Sequence, residues 1–211
     1  MIKYISFDLD GTLADESFDK LVWNEEIPKM YAEKSKISLE DAKKIIYSEY
    51  YKALYIEFVK SWTDIEYWFN RLGLNNWQKL IQDMKGNVFV YPDVLEILEY
   101  LSKKYKLIII SAAYDKFLNV KLEAQGIKKY FSQVFSIPSD FGIPEKNRDA
   151  FFKVLEKLKI QPNELVHIGD DHNKDYTVPM SIGIKSFHLV RSKQLKEDHT
   201  IHSLLELKEK L

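Results

Sequence analysis

Tyr4-Ile5-Ser6-Phe7-Asp8-Leu9-Asp10-Gly11-Thr12-Leu13 is a short apolar run that ends in two carboxylates one residue apart, followed at once by Gly-Thr. In an extended segment residues i and i+2 face the same way, so Asp8 and Asp10 start out on one side. Gly11 allows the backbone to turn sharply, which leaves both acids at the lip of a strand. Two close carboxylates with no basic neighbour in the sequence are costly to keep ionised, so the pattern anticipates a cation between them. A strand ending in a solvated acidic turn is the plainer alternative, and the rest of the chain weighs against it.

Downstream the sequence changes character twice. From about Ala14 to Gly86 charged residues alternate with Trp, Tyr, Phe and Leu at helical spacing, with no convincing strand. Ser38-Leu39-Glu40-Asp41 reads as a helix start, with Ser38 as N-cap and Asp41 where a capping box carries Glu. Leu72-Gly73-Leu74-Asn75-Asn76 reads as a helix end and turn. All four tryptophans, Trp23, Trp62, Trp68 and Trp77, fall in this stretch. They are read as the core of a helical bundle, the alternative being that one or two line a ligand mouth.

After Tyr91-Pro92-Asp93 helix and strand patterns alternate. The spacing predicts helices over 94–105, 117–126, 149–158 and 204–211, and strands over 106–111, 134–136, 165–168 and 184–190. These strands are solidly apolar, the mark of a parallel sheet covered on both faces. The first strand belongs to the same sheet. The expected fold class is therefore α/β: a doubly wound, Rossmann-like parallel-sheet core from residues 1–14 and 89–211, with an α-helical cap domain inserted at 15–88.

Composition narrows the function. With 211 residues and a formal charge of -1, the chain offers no global electrostatic case for nucleic acid or an anionic membrane. It has no cysteine, which excludes disulfides, thiolate metal sites and thiol catalysis. No basic-then-apolar leader is visible, and no apolar run approaches the ~18–20 residues needed to cross a bilayer. A soluble cytoplasmic protein, monomer or homodimer, is expected.

In an open parallel sheet ligands bind at the carboxyl ends of the strands. Asp8 and Asp10 follow the first strand, Ser111 ends the Ile-rich strand, and Asp170 and Asp171 follow Val166–Ile168, with Asp175 five residues beyond Asp170. So many acids on one edge cannot all stay ionised without a divalent cation. Oxygen ligands with no cysteine and no histidine pair favour Mg²⁺ over zinc.

With these residues in view, the chain resembles the haloacid dehalogenase-like (HAD) hydrolase superfamily, whose four motifs occur in order. The first is Ile5-Ser6-Phe7-Asp8-Leu9-Asp10-Gly11-Thr12-Leu13; the second is the strand 107–111 ending on Ser111. The third is Lys146 ahead of a helix, and the fourth is Gly169-Asp170-Asp171-His172-Asn173-Lys174-Asp175. Asn147 departs from the Pro common after the third-motif lysine, and Ala112 from the Asn or Gly common after the second-motif serine.

The resemblance implies a role for each position. Asp8 is the expected nucleophile and Asp10 the acid and base. Mg²⁺ is expected on the Asp8 carboxylate, the Asp10 main-chain carbonyl and Asp170, with Asp175 or Asp171 orienting its waters. Ser111 is expected to hold a phosphoryl oxygen, and Lys146 to offset the summed charge. Because dehalogenase relatives lack an acid at the Asp10 position, the resemblance favours a phosphatase of a small phosphorylated metabolite. A phosphomutase, or a binding or regulatory protein that kept the fold, are the alternatives. His172 lies near the site, and Lys20 or Arg71 of the insert are candidates to reach a substrate. His188, His199 and His202 show no ligand spacing.

Overall fold

A computed structural model describes residues 1–192 and 199–211. It divides into two compact units, Met1–Asp15 with Phe89–Leu211, and Glu16–Val88. The chain opens with β1 (Tyr4–Phe7) and passes through α1 (Ser17–Leu21), α2 (Ile27–Ser35), α3 (Leu39–Tyr55), α4 (Ile65–Leu72) and α5 (Trp77–Asp83). It continues with α6 (Val94–Leu101), β2 (Lys106–Ser111), α7 (Asp115–Ala124), β3 (Phe131–Ser136), α8 (Ile137–Phe141) and α9 (Arg148–Leu158). Last come β4 (Leu165–Gly169), α10 (Val178–Met180), β5 (Lys185–Leu189), β6 (Thr200–Ile201) and α11 (Leu207–Lys210).

The first unit is built on a six-stranded sheet of order β3-β2-β1-β4-β5-β6, parallel throughout. β1 lies between β2 and β4, in register with both: Phe7 pairs with Ile109 on one side and Ile168 on the other. The strand order runs outward in opposite directions from β1, so a crevice opens at its carboxyl end. Both faces are covered. Ile5, Phe7, Ile109 and Ile168 pack with Val94, Ile97 and Leu98 of α6. Ile108 and Ile110 pack on the other face with Phe151 and Val154 of α9. Two apolar faces per strand are why the strand sequences are solid rather than alternating.

The chain leaves and re-enters this unit at neighbouring points: Ala14 bridges Val90 antiparallel, and Asp15 N–H donates to Phe89 O at 3.0 Å. In the second unit Ser38 caps α3, its hydroxyl accepting from Asp41 N–H at 3.1 Å, and Gly73 closes α4 with φ 62°. The tryptophans do not all fill a core. Trp68 is buried, edge-on to Tyr50, with its Nε1–H donating to Trp62 O at 2.6 Å. Trp62 is exposed, and Trp23 and Trp77 are half-buried. An indole is large enough to pack one edge while leaving the other wet.

Element limits shift where patterns run out. α6 stops at Leu101 rather than 105, β3 starts at Phe131, and the last helix opens with a 3₁₀ turn at Leu204–Glu206. β6 and α8 escape the sequence reading because two and five residues are too short to show a period. No helix among the described residues is long and apolar enough to cross a membrane.

Candidate active site

β1 delivers Asp8 to the crevice with its N–H bonded to Ile168 O at 2.9 Å, as though the strand ran one residue further. The chain then turns tightly: Thr12, Leu13 and Ala14 all point their N–H groups at Leu9 O, at 3.3, 2.8 and 2.9 Å. Gly11 makes the turn with φ 79°, and a Cβ there would overlap the Asp170 carboxylate. Arg191 fastens the turn from behind, donating to Thr12 O at 2.6 Å and bonding Asp93 at 3.2 Å.

Asp8 and Asp175 are buried and share one cation. Lys146 Nζ lies 2.8 Å from Asp8 Oδ1 and also pairs with Asp175 Oδ1. It stands just ahead of α9, where Asn147 caps the helix by accepting from Ala150 N–H at 3.0 Å. Asn at this position is therefore the residue that starts the helix carrying the lysine's neighbours. Burial works against the Lys146 charge, but Asp8 and Asp175 hold its pKa above the ordinary lysine value.

Asp175 sits inside a wide helical turn over His172–Thr177 and is fully buried. Its Oδ1 meets His167 Nε2 at 2.9 Å, and its Oδ2 accepts from Asp171 N–H at 3.2 Å. Burial would raise its pKa, yet Lys146 and then His167 hold it well below the carboxylate range. Ionised Asp175 accepts the Nε2–H hydrogen bond, so neutral His167 carries its proton there and its Nδ1 accepts from the Ser6 hydroxyl, 2.7 Å away. Ser6, His167, Asp175, Lys146 and Asp8 thus form one buried chain of polar contacts. Sequence reading missed Ser6 and His167, which sit in the middle of strands; two polar residues on otherwise apolar β1 and β4 were the available signal.

Asp170 follows β4 and accepts from the Thr12 hydroxyl at 3.0 Å. The residue is exposed as a whole, but partial desolvation of its carboxyl raises its pKa, with the Thr12 bond opposing. Asp8 is pushed up to about 8, chiefly by burial, with Lys146 opposing and Asp175, Asp10 and Asp170 adding to the rise. A carboxyl this hard to ionise is one that a bound cation would restore to its charged form.

The donor set fits a small hard cation. Asp8, Asp170 and Asp175 each offer an oxygen within 4.8 Å of the others, and an all-oxygen carboxylate set of this kind suits Mg²⁺. Gly169 lacks the Cβ that would fill the Asp175 carboxylate's place. Asp175, with both oxygens already bonded, backs the site, while Asp8 and Asp170 face it. Asp171 is committed elsewhere: its Oδ1 caps the following turn through Asn173 and Lys174 N–H, both at 2.9 Å.

Ser111 ends β2, buried, with its hydroxyl accepting from Ala113 N–H at 3.1 Å, which leaves its O–H as a donor. Asp10 does not face the Lys146 cluster. Its Oδ1 is 2.5 Å from Nζ of Lys121, a lysine of α7 whose side chain has no exposed surface. Sequence spacing gave no hint of this pair, since 111 residues separate its members. His172 is exposed, its ring 5.0 Å from that of His188, which bonds Asp170 O at 3.0 Å. In the other unit Arg71 is engaged by Glu49 at 2.6 Å and Glu57 at 2.5 Å, and by the Tyr67 hydroxyl at 2.7 Å. That makes it a structural cation of its own unit rather than an open ligand for substrate.

Comparison with known proteins bears on the family and the fold. The profile of the haloacid dehalogenase-like hydrolases matches residues 2–178. The GMP/IMP nucleotidase YrfG of Escherichia coli is 25% identical over 167 residues, 79% of this chain and 73% of its own length. Phosphoglycolate phosphatase of Vibrio vulnificus is 34% identical over 103 residues, 47% of this chain and 43% of its own. A crystal structure of a HAD phosphatase from Thermococcus onnurineus superposes with a TM-score of 0.83 at 25% identity, covering 99% of this chain and 97% of that one.

Proposed function

Because the chain belongs to the haloacid dehalogenase-like hydrolases, we propose that it is a Mg²⁺-dependent phosphatase that hydrolyses a small phosphorylated metabolite through an aspartyl-phosphate on Asp8. The observation that carries this reading is the pairing of a buried Asp8, backed by Lys146, with a second acid, Asp10, on the turn that follows. A halide departs without a proton, whereas the alkoxide of a phosphate ester needs one, and Asp10 supplies it.

In the first half-reaction an Asp8 carboxylate oxygen attacks phosphorus. The bond to the ester oxygen breaks, its electron pair stays on that oxygen, and the Asp10 proton joins it as the alcohol leaves. In the second, water attacks the same phosphorus and gives its proton to Asp10. The bond to Asp8 breaks, releasing inorganic phosphate and restoring the carboxylate. Lys146 holds Asp8 in place and offsets charge on the phosphoryl oxygens, and the Ser111 O–H donates to one of them. Asp8, Asp170 and the main-chain carbonyl of Asp10 would hold Mg²⁺, with Asp175 supporting it. When bound, the ion neutralises charge on the transferring group.

The names of the relatives supply the first panel to test: purine nucleoside monophosphates and phosphoglycolate. Phosphate release from at least one compound, dependent on Mg²⁺ and abolished in Asp8→Asn, is the expected result. Release that survives in that variant would remove Asp8 as nucleophile. Isomerisation of a sugar phosphate without free phosphate would make the protein a mutase.

A further inference from the structure

Lys121 belongs to none of the four sequence motifs, yet it makes the shortest polar contact to Asp10. We propose that Lys121 is a positioning residue for Asp10: it pins one carboxylate oxygen so that the other meets the reacting oxygen in both half-reactions. This rests on the reading of Asp10 as the proton-transfer group.

The geometry has three parts. First, α7 lays the Lys121 side chain along the interior, fully buried, with Nζ 2.5 Å from Asp10 Oδ1 and 5.6 Å from the centre of the Phe117 ring. Burying a lysine along its whole length costs rotamer freedom and hydration, which packing alone does not require, since Met or Leu would fill the same space. Second, the backbone of Asp10 is fixed by the turn that gathers three N–H groups on Leu9 O. That leaves the carboxyl's own two torsions to be set by a side-chain partner. Third, the Asp10 side chain keeps 27% of its surface exposed, and its Oδ2 has no hydrogen bond among the described residues. One oxygen is held and the other is presented.

Proton transfer needs the donor within about 3 Å of the reacting oxygen, and a 1 Å misplacement costs about 10²-fold. Two-point control of a short side chain, by the turn and by Lys121, meets that demand. The bond also resists rotation, because a charge-assisted contact away from bulk water is among the stronger hydrogen bonds.

The test separates orientation from packing. Lys121→Met keeps the buried length and removes the ammonium. Single-turnover release of phenol is followed with Mg²⁺ on 4-nitrophenyl phosphate, whose leaving group departs unaided, and on phenyl phosphate, which needs a proton. Lys121→Met is expected to slow phenyl phosphate by about 10–100-fold and 4-nitrophenyl phosphate by less than about 3-fold. In an Asp10→Asn background it is expected to add nothing on either ester. Lys121→Gln keeps an amide donor and is expected to lose less than Lys121→Met. It also serves as the second variant should the first not fold, as judged by its melting curve. Equal losses on both esters, no loss on either, or an undiminished loss in the Asp10→Asn background would overturn the proposal. A wild-type protein that releases phenol, with Asp8→Asn silent, keeps the phosphatase reading whatever Lys121 does. A silent wild type overturns that reading and this inference together.

Discussion

His167 lies outside the four motifs and nowhere on the protein surface, yet it bonds Asp175, the acid that shares Lys146 with the proposed nucleophile Asp8. Its Nε2 is 2.9 Å from Asp175 and its Nδ1 is 2.7 Å from Ser6, while its ring packs edge-on to Phe151 at 5.1 Å. His167→Phe keeps the ring and removes both polar contacts, leaving Asp175 one donor short in a buried place. The variant is expected to be less stable by about 1–3 kcal/mol in urea titration, and slower in turnover through the loosened Asp175–Lys146–Asp8 line. Unchanged stability would mean that the polar chain contributes nothing. Asp8, Asp10, Ser111 and Asp170 stand out in the sequence as polar residues at or just past the end of an apolar run, Lys146 and Asp175 only through the motifs they complete, and the structure gathers Asp8, Lys146, Asp170 and Asp175. Lys121, His167 and Arg191 were not legible there: each finds its partner only through packing, nothing in local spacing marks a buried lysine, and a histidine within an apolar strand signals a polar contact without naming its partner.

At the scale of the element, the turn after β1 decides how closely the acids approach one another. Gly11 takes φ 79°, and Asp170 occupies the space a Cβ would need. Gly11→Ala is therefore strained twice, in backbone and in contact, at a cost of about 1–3 kcal/mol. It is expected to displace the Asp170 carboxylate and to weaken Mg²⁺ binding measured by calorimetry. Wild-type affinity in that variant would show that Asp170 does not hold the ion. Helix and strand order were readable because each core strand is apolar on both faces. The wide turn at His172–Thr177 was not, since its shape is set by burying Asp175 and by the Asp171 cap rather than by any periodicity.

For the whole molecule, the buried carboxyl of Asp8 links folding to pH and to metal. The unfolded chain gives up this proton near 3.8, the folded one near 8. The folded state therefore binds more protons between those values, and stability falls as pH rises through them. His167 works the other way below its ordinary value of 6.5, because burial keeps it neutral when folded. Above that pH the Asp8 contribution prevails. Without divalent cations the melting temperature is expected to fall between about pH 6.5 and 8, and millimolar Mg²⁺ is expected to flatten the fall. A melting temperature in chelator that is level or rising across that interval would contradict the Asp8 assignment. The charge balance of the whole chain carries none of this, since a formal charge of -1 is silent about how four acids and two lysines are grouped at one sheet edge.

The claim that Asp8 carries the phosphoryl group is tested most directly by trapping it. The wild-type protein with Mg²⁺ and 4-nitrophenyl phosphate is quenched in acid within one turnover, digested and weighed by mass spectrometry. One phosphoryl group is expected on the peptide containing Asp8, absent in Asp8→Asn. Turnover with an unmodified Asp8 peptide, or a phosphoryl group on another residue, would contradict it.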